Sequence, residues 1–339
     1  MPKMGLVLQG GGALGGYEYG AVTRLVERGW HPVAVTGVSI GAATAAAVAG
    51  APDGDICKSL KRLWEAITLD PVPFWPPERQ TTFSIFGNPR FWRMRYDVFS
   101  YRDWTSLYDV SPMRETLAEV CDFNQLNDPT HMRVAVTATN VQTGNQVCFA
   151  NFVGNPDSVH YVTPRVSRVP LTPDHILASG SLPPGFPMTV IDGVPYWDGG
   201  LFDNTPIESL LDLLTEEELE NLPIFIVKNL FATHSNPPAN LREVQERMLE
   251  ITFESRFLLE HADRDGSLTE FIRTVEEIMR DLPAESAVRQ RESFRRLVRL
   301  RALKNIKVIE AGPRAHDGRY GFLCARRAYQ IQERLRCRR

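Results

Sequence analysis

Five residues, Gly37-Val38-Ser39-Ile40-Gly41, join an apolar run to an alanine-rich one, and this junction restricts the possible folds more than any other feature of the chain. Pro32-Val33-Ala34-Val35-Thr36 before it reads as a short buried strand, and Ala42-Ala43-Thr44-Ala45-Ala46-Ala47-Val48 after it reads as a helix. A strand that turns at once into a helix belongs to an α/β architecture with a mostly parallel sheet. A serine on such a turn is pushed out of the backbone with its hydroxyl exposed. Gly37 and Gly41, two residues to either side, let strand and helix approach without a Cβ clash. The free N–H groups of the helix start favour a developing negative charge. Together these properties suit a nucleophile in acyl transfer.

A second junction lies upstream. Met4-Gly5-Leu6-Val7-Leu8-Gln9 reads as a buried strand, Gly10-Gly11-Gly12-Ala13-Leu14-Gly15 follows, and a helix runs from about Gly16 to Arg28 with Val22, Leu25 and Val26 on one face. Bare backbone N–H groups at such a helix start bind a phosphate or stabilise an oxyanion. The glycine spacing also fits GxGxxG, but a dinucleotide site needs an acidic residue closing the second strand. That strand closes instead in Thr36 and the serine turn. An oxyanion hole facing Ser39 is the better reading, with adjacent parallel strands delivering both loops to one sheet edge. A third element, Tyr196-Trp197-Asp198-Gly199-Gly200, follows a turn at Asp192-Gly193; the glycines let its backbone come close to another segment. The loop Ala178 to Pro187, rich in glycine and proline, is able to wall a pocket.

Taken together, the glycine loop Gly10 to Gly15, the GxSxG at Gly37 to Gly41 and the Asp198-Gly199 pair resemble the patatin-like phospholipases, serine–aspartate lipid acyl hydrolases, over roughly residues 4–230. The resemblance implies a three-layer fold with a mostly parallel central sheet and helices on both faces. It also implies Ser39 as nucleophile, Asp198 as its base, and the backbone of Gly10, Gly11 and Gly12 as the oxyanion hole, with Gly15, Gly37, Gly41, Gly199 and Gly200 in support. The implied activity is hydrolysis of an acyl lipid ester, phospholipid, lysophospholipid or neutral, with no metal or organic cofactor. Many members carry Arg or Lys where this chain has Leu14, which puts a preference for phosphate head groups in doubt.

A Ser-His-Asp esterase acting on small or oligomeric hydroxyacid esters is the rival mechanism. His160, His175, His234, His261 and His316 all follow Ser39, and the last three also follow Asp198, in the order an α/β-hydrolase requires. None has a flanking signature, and the serine turn comes earlier than such a fold places it. Outside hydrolysis, a nucleotide-binding module leaves Ser39 and Asp198 unexplained, and a catalytically silent scaffold keeps the fold alone.

Composition fits this reading. With 339 residues the chain is long enough for a large core, and 23% charged and 43% hydrophobic residues are ordinary for a globular protein. A net charge of −3 gives no field favouring nucleic acid. Five scattered cysteines without a CxxC pair point to reduced thiols, and no HExxH pair points to a metal. The strand starting within a few residues of Met1 leaves no room for a signal peptide, so the expectation is a cytoplasmic protein with at most peripheral, transient membrane contact. Oligomeric state is not legible.

Texture divides the chain into an acyl hydrolase domain, residues 1–234, and a mainly helical C-terminal extension, residues 235–339. The former contains a proline- and aromatic-rich segment, 70–108, which reads equally as a cap over the Ser39 pocket or as closure of the main core. Strands are expected at 132–139, 146–150 and 223–227, the last closing the main sheet, and helices at 55–67, 112–120 and 175–179. In the extension helices are expected at 241–261, 268–279, 285–303 and 324–335, with a strand at 306–309. Arginines crowd the third of these helices, from Arg289 to Arg301, and read as a solvated, acid-paired face in preference to a membrane surface.

Overall fold

Strand and helix alternate from the first residues of a computed structural model, which describes residues 1–69, 87–152, 165–229 and 267–310, with scattered residues between 237 and 253. β1 (Lys3–Leu8) precedes α1 (Gly16–Glu27), and β2 (His31–Val38) precedes α2 (Ile40–Ala49) and α3 (Ile56–Ala66). Short β3 (Gly87–Asn88), β4 (Trp92–Met94) and β5 (Tyr108–Asp109) lead to α4 (Ser111–Val120) and α5 (Phe123–Leu126). Next come β6 (Arg133–Asn140), β7 (Gln146–Ala150), β8 (Arg165–Arg168), α6 (Pro173–Ser179), β9 (Thr189–Ile191) and β10 (Val194–Asp198). α7 (Ile207–Leu213), α8 (Glu216–Asn221) and β11 (Ile224–Lys228) follow. The extension supplies α9 (Ser267–Asp281), α10 (Ala287–Gln290), α11 (Glu292–Arg299) and β12 (Ile306–Glu310).

The main sheet runs β12-β11-β1-β2-β6, all parallel, with β10 and β9 continuing antiparallel and β7 and β8 branching from β6. β1 is covered on both faces, which is why its sequence is a continuous apolar run. Leu6, Leu8 and Val35 join a core with α1 to α4 and α6, while Val7, Ala34 and Ala135 join another with α7 and α8. Helices therefore cover both faces of the sheet, giving the three layers expected. α2 is buried at every residue, and its alanines let it lie close to the sheet.

Two expectations change. Ile306–Glu310 was expected within a separate extension, but it pairs in parallel with β11, Ile224 opposite Ile306 through Lys228 opposite Glu310, so 224–228 is not the last strand of the sheet. It forms an edge of the sheet, where Val308 is 49% exposed. The helix expected over 285–303 breaks at Arg291, which is extended (φ −68°, ψ 133°), and ends in a 3-10 turn, Leu300–Asn305. Three of its arginines are anchored to protein: Arg299 donates to Asp212 Oδ1 at 2.9 Å, Arg301 pairs with Glu220 at 2.6 Å, and Arg289 donates to the carbonyls of Met279, Leu282 and Pro283. The helices expected at 241–261 and 324–335 lie largely or wholly outside the described residues.

The aromatic segment divides. Phe91, Trp92 and Tyr108 cluster around Phe186, with ring centroids 4.7–6.4 Å apart, and pack on the main core. Tyr96 and Phe99 are exposed. Phe74, Trp75, Phe83 and Phe86 lie outside the described residues.

Candidate active site

Register on β6 explains why residues 39 and 198 meet. β7 occupies one edge of β6 from Ala135 to Thr139, so β2 and β10 share the other edge. β2 covers that edge up to Val38 opposite Thr137; the next β6 residue, Ala138, pairs with Asp198. The antiparallel β10 thus ends where the parallel β2 ends. Ser39, the residue after Val38, stands beside Asp198 at the carboxyl edge of the sheet.

Ser39 has φ 56° and ψ −124°, a backbone conformation costly for a side-chain-bearing residue, and it is the N-cap of α2 without a side-chain cap bond of its own. The turn closes tightly: a Cβ on Gly37 would come within 2.2 Å of the Gly41 carbonyl oxygen, and one on Gly41 within 2.4 Å of that of Leu8. The Ser39 N–H donates to both the carbonyl and Oγ of Ser179, at 3.1 and 3.0 Å, fixing the turn to the end of α6. The hydroxyl points the other way and donates to Asp198 Oδ2 at 2.6 Å.

Asp198 is buried and held at four points. Oδ1 accepts from the Gly200 N–H at 2.8 Å, Oδ2 accepts from Ser39, the N–H donates to the Ser181 carbonyl at 3.0 Å, and the carbonyl accepts from Thr139 Oγ1 at 2.9 Å. A Cβ on Gly199 would come within 2.2 Å of the Thr137 carbonyl, so the chain after Asp198 presses directly on β6. Burial pushes the Asp198 carboxyl up to about 6, against the opposing pull of the Ser39 hydroxyl and the Gly200 N–H.

The glycine loop forms the opposite flank. A Cβ on Gly10 would lie 3.3 Å from that of Ser39, which places the loop against this serine. The Gly10 N–H donates to the Asn204 carbonyl at 3.3 Å, and Asn204 Nδ2 returns a bond to the Gly10 carbonyl at 3.4 Å. Gly12 to Gly15 form a 3-10 turn whose N-cap, Gly11, provides no side-chain bond. Gly15 abuts Ile40 of α2, and Gly200 abuts Asn204. Leu14 is half-buried in the turn.

The structure thus brings Asp198, Gly10 and the Gly37–Gly41 turn to Ser39, with Gly15 against Ile40 and Gly199 against β6. Sequence reasoning missed Ser179, Thr139, Asn204 and Asn229, which hold the backbones of these segments. It also passed over Glu18, although Glu18 lies on the same helical stripe as Val22, Leu25 and Val26, and an acid on an apolar stripe was a readable signal. Among the histidines, His175 is engaged elsewhere: it completes a capping box with Thr172 and packs edge-on against Phe149 at 4.7 Å. His160, His234, His261 and His316 lie outside the described residues.

Fold and sequence place the chain among α/β enzymes that cleave lipid acyl esters. The family model for patatin-like phospholipase matches residues 6–211, more than half of the chain, and the chain belongs to that family. Among solved structures, VipD from Legionella pneumophila is similar at 16% identity and a TM-score of 0.39, over 98% of this chain and 67% of that one. A chain of the SpcU complex with ExoU, from the type III secretion system of Pseudomonas aeruginosa, is similar at 15% identity and a TM-score of 0.26, over 90% and 68%. No curated protein matches the chain. Among the described residues no helix is long and apolar enough to cross a membrane.

Proposed function

We propose that the chain hydrolyses the carboxylic ester of an acyl lipid through a Ser39–Asp198 dyad. The observation that carries this is the 2.6 Å hydrogen bond from Ser39 Oγ to Asp198 Oδ2. The direct contact of the two oxygens leaves no room for an imidazole between them, which supports the carboxylate as the base. Its raised affinity for protons suits that role, because a base works best when its pKa lies near the working pH.

As Ser39 Oγ bonds to the ester carbonyl carbon, its proton passes to Asp198 Oδ2 and the carbonyl oxygen takes the negative charge. The N–H groups of Gly11 and Gly12 receive that oxyanion; Gly10 acts through its position, since its own N–H is given to Asn204. Collapse breaks the bond to the alcohol, which leaves with the proton held by Asp198. Water then attacks the acyl-enzyme, its proton passes through Asp198 back to Ser39, and the carboxylic acid departs.

Leu14 brings an apolar side chain where a cation would meet a phosphate. The substrate is therefore recognised by its acyl chain. Contact with the membrane is peripheral and transient. Labelling with a fluorophosphonate tests the dyad: modification at Ser39, absent in Ser39→Ala, is expected, and labelling that persists in Ser39→Ala overturns it. A panel of phospholipid, lysophospholipid, neutral lipid and short hydroxyacid oligoesters then identifies the ester.

A further inference from the structure

Behind the glycine loop lies a carboxyl group that the proposed chemistry does not use. Glu18, in the first turn of α1, is fully buried. Asn229, the residue after β11, donates from Nδ2 to Glu18 Oε1 at 2.7 Å and to the Gln9 carbonyl at 2.7 Å. Its N–H donates to Gln9 Oε1 at 2.8 Å. The loop rests on the same residue, since a Cβ on Gly11 would come within 2.9 Å of Asn229 Cβ. One side-chain amide therefore links the carboxyl to the strand end that carries Gly10, Gly11 and Gly12.

Glu18 Oε2 has no hydrogen-bond partner among the described residues. An ionised carboxylate left this way is costly, whereas a neutral acid needs fewer donors. Burial pushes Glu18 up to about 8, against the pull of the Thr44 hydroxyl and the Asn229 amide. α2 and the glycine turn, which pack on α1, carry no titratable side chain. α3 brings half-buried Cys57 and the exposed Lys58, Lys61, Arg62 and Glu65. β11 brings Lys228, and α1 itself Tyr17, Tyr19, Arg24 and Glu27. None of these is among the influences on Glu18.

We propose that Glu18 is a positioning residue: as a neutral acid it holds the Asn229 amide, and through it the Gln9–Gly12 backbone, in the arrangement that presents the loop N–H groups to Ser39. The proposal rests on the reading of that loop as an oxyanion hole. Ionisation of Glu18 sets a buried negative charge behind a loop whose task is to stabilise another one, and it leaves Oε2 seeking a donor. Both effects work against the tetrahedral intermediate.

The test uses the full chain with Glu18→Gln, an isostere of the neutral acid, and Glu18→Ala. Two readouts are the rate of Ser39 modification by a fluorophosphonate from about pH 5.5 to about 9.5, and hydrogen exchange of residues 9–12 at pH 7. Wild type is expected to lose about tenfold in rate between pH 8 and 9.5, and Glu18→Gln to lose none of it. At pH 7, Glu18→Ala is expected to react at least about tenfold more slowly with faster exchange at 9–12, and Glu18→Gln to recover most of both. An unchanged alkaline fall in Glu18→Gln overturns the proposal, as does wild-type exchange in Glu18→Ala; if Glu18→Ala does not fold, the Glu18→Gln profile decides. Labelling that survives Ser39→Ala would defeat the dyad instead, and the exchange comparison would still decide whether Glu18 holds the loop.

Discussion

On the β10 flank of Ser39, main-chain atoms fix the partner. Asp198 arrives by its register on β6, its carbonyl and N–H are tied to Thr139 and Ser181, and one carboxylate oxygen is held by the next turn of backbone. The glycine-loop flank is held by side-chain amides from far along the chain. Asn204 reaches Gly10 across 194 residues, and Asn229 reaches Gln9 across 220. A flank fixed by sheet register moves only if the sheet moves. A flank fixed by amides is open to adjustment through each of them, and through the protonation state of what they touch.

The sharpest break of this comparison is at the dyad. Ser39→Ala and Asp198→Asn should each lower kcat at least about a thousandfold in a folded protein. The double variant should be little worse than either, because the two residues act as a unit. Stability should move the other way. The native carboxyl binds its proton up to about 6 against an ordinary value of 3.8, so wild-type stability is highest below the ordinary value, falls as pH rises from there to about 6, and is level above. Asp198→Asn removes that loss, an upper bound of about 3 kcal/mol at pH 7. Its Tm should exceed that of wild type at pH 7, with the gap closing as pH falls toward 4. A lower Tm at pH 7 would show that Asp198 is part of the scaffold first.

Gly12→Val probes the other flank. Gly12 sits at φ 57°, where a β-branched residue is strained, so the substitution should tilt the loop and cost about 2.7–4 kcal/mol of transition-state stabilisation, roughly a hundred- to a thousandfold in kcat. Near-normal turnover in a folded Gly12→Val protein would remove the oxyanion role from the loop.

The two flanks also differ in how legible they are in the sequence. The turn around Ser39 and the Asp198-Gly199 pair can be read there because close backbone approach demands glycine, and glycine at fixed spacing is visible in a sequence. The holders of the glycine loop cannot, because a single Asn meeting a distant carbonyl leaves no spacing to detect. β12 is legible as a strand from its short β-branched run, Ile306, Val308 and Ile309, but not as part of the sheet, since its partner β11 lies some eighty residues earlier in the chain. The break at Arg291 is hidden because the helical periodicity continues on both sides of it.

A pH profile separates the flanks within one protein. Asp198 must be unprotonated to accept the Ser39 proton, so kcat/KM should rise through about pH 6 and fall about tenfold per unit below it. Asp198→Glu, if it retains measurable activity, should shift that limb. A limb that stays in place in this variant would mean that another group sets it.

The smallest expected effects are at the histidines. A triad needs an imidazole between the serine and the acid, donating to one and accepting from the other. In the proposed dyad Ser39 Oγ donates directly to Asp198 Oδ2 at 2.6 Å and Gly200 holds the other carboxylate oxygen, so the proposal gives an imidazole no part in the proton transfer. His234→Ala, His261→Ala and His316→Ala should therefore each keep kcat/KM within about tenfold of wild type, a barrier change of roughly 1.4 kcal/mol or less. The measurement is steady-state hydrolysis of a chromogenic acyl ester, with circular dichroism to check the fold. A thousandfold loss in any one of them, with the fold intact, would move the base from Asp198 to that histidine and leave the carboxylate as its orienting partner.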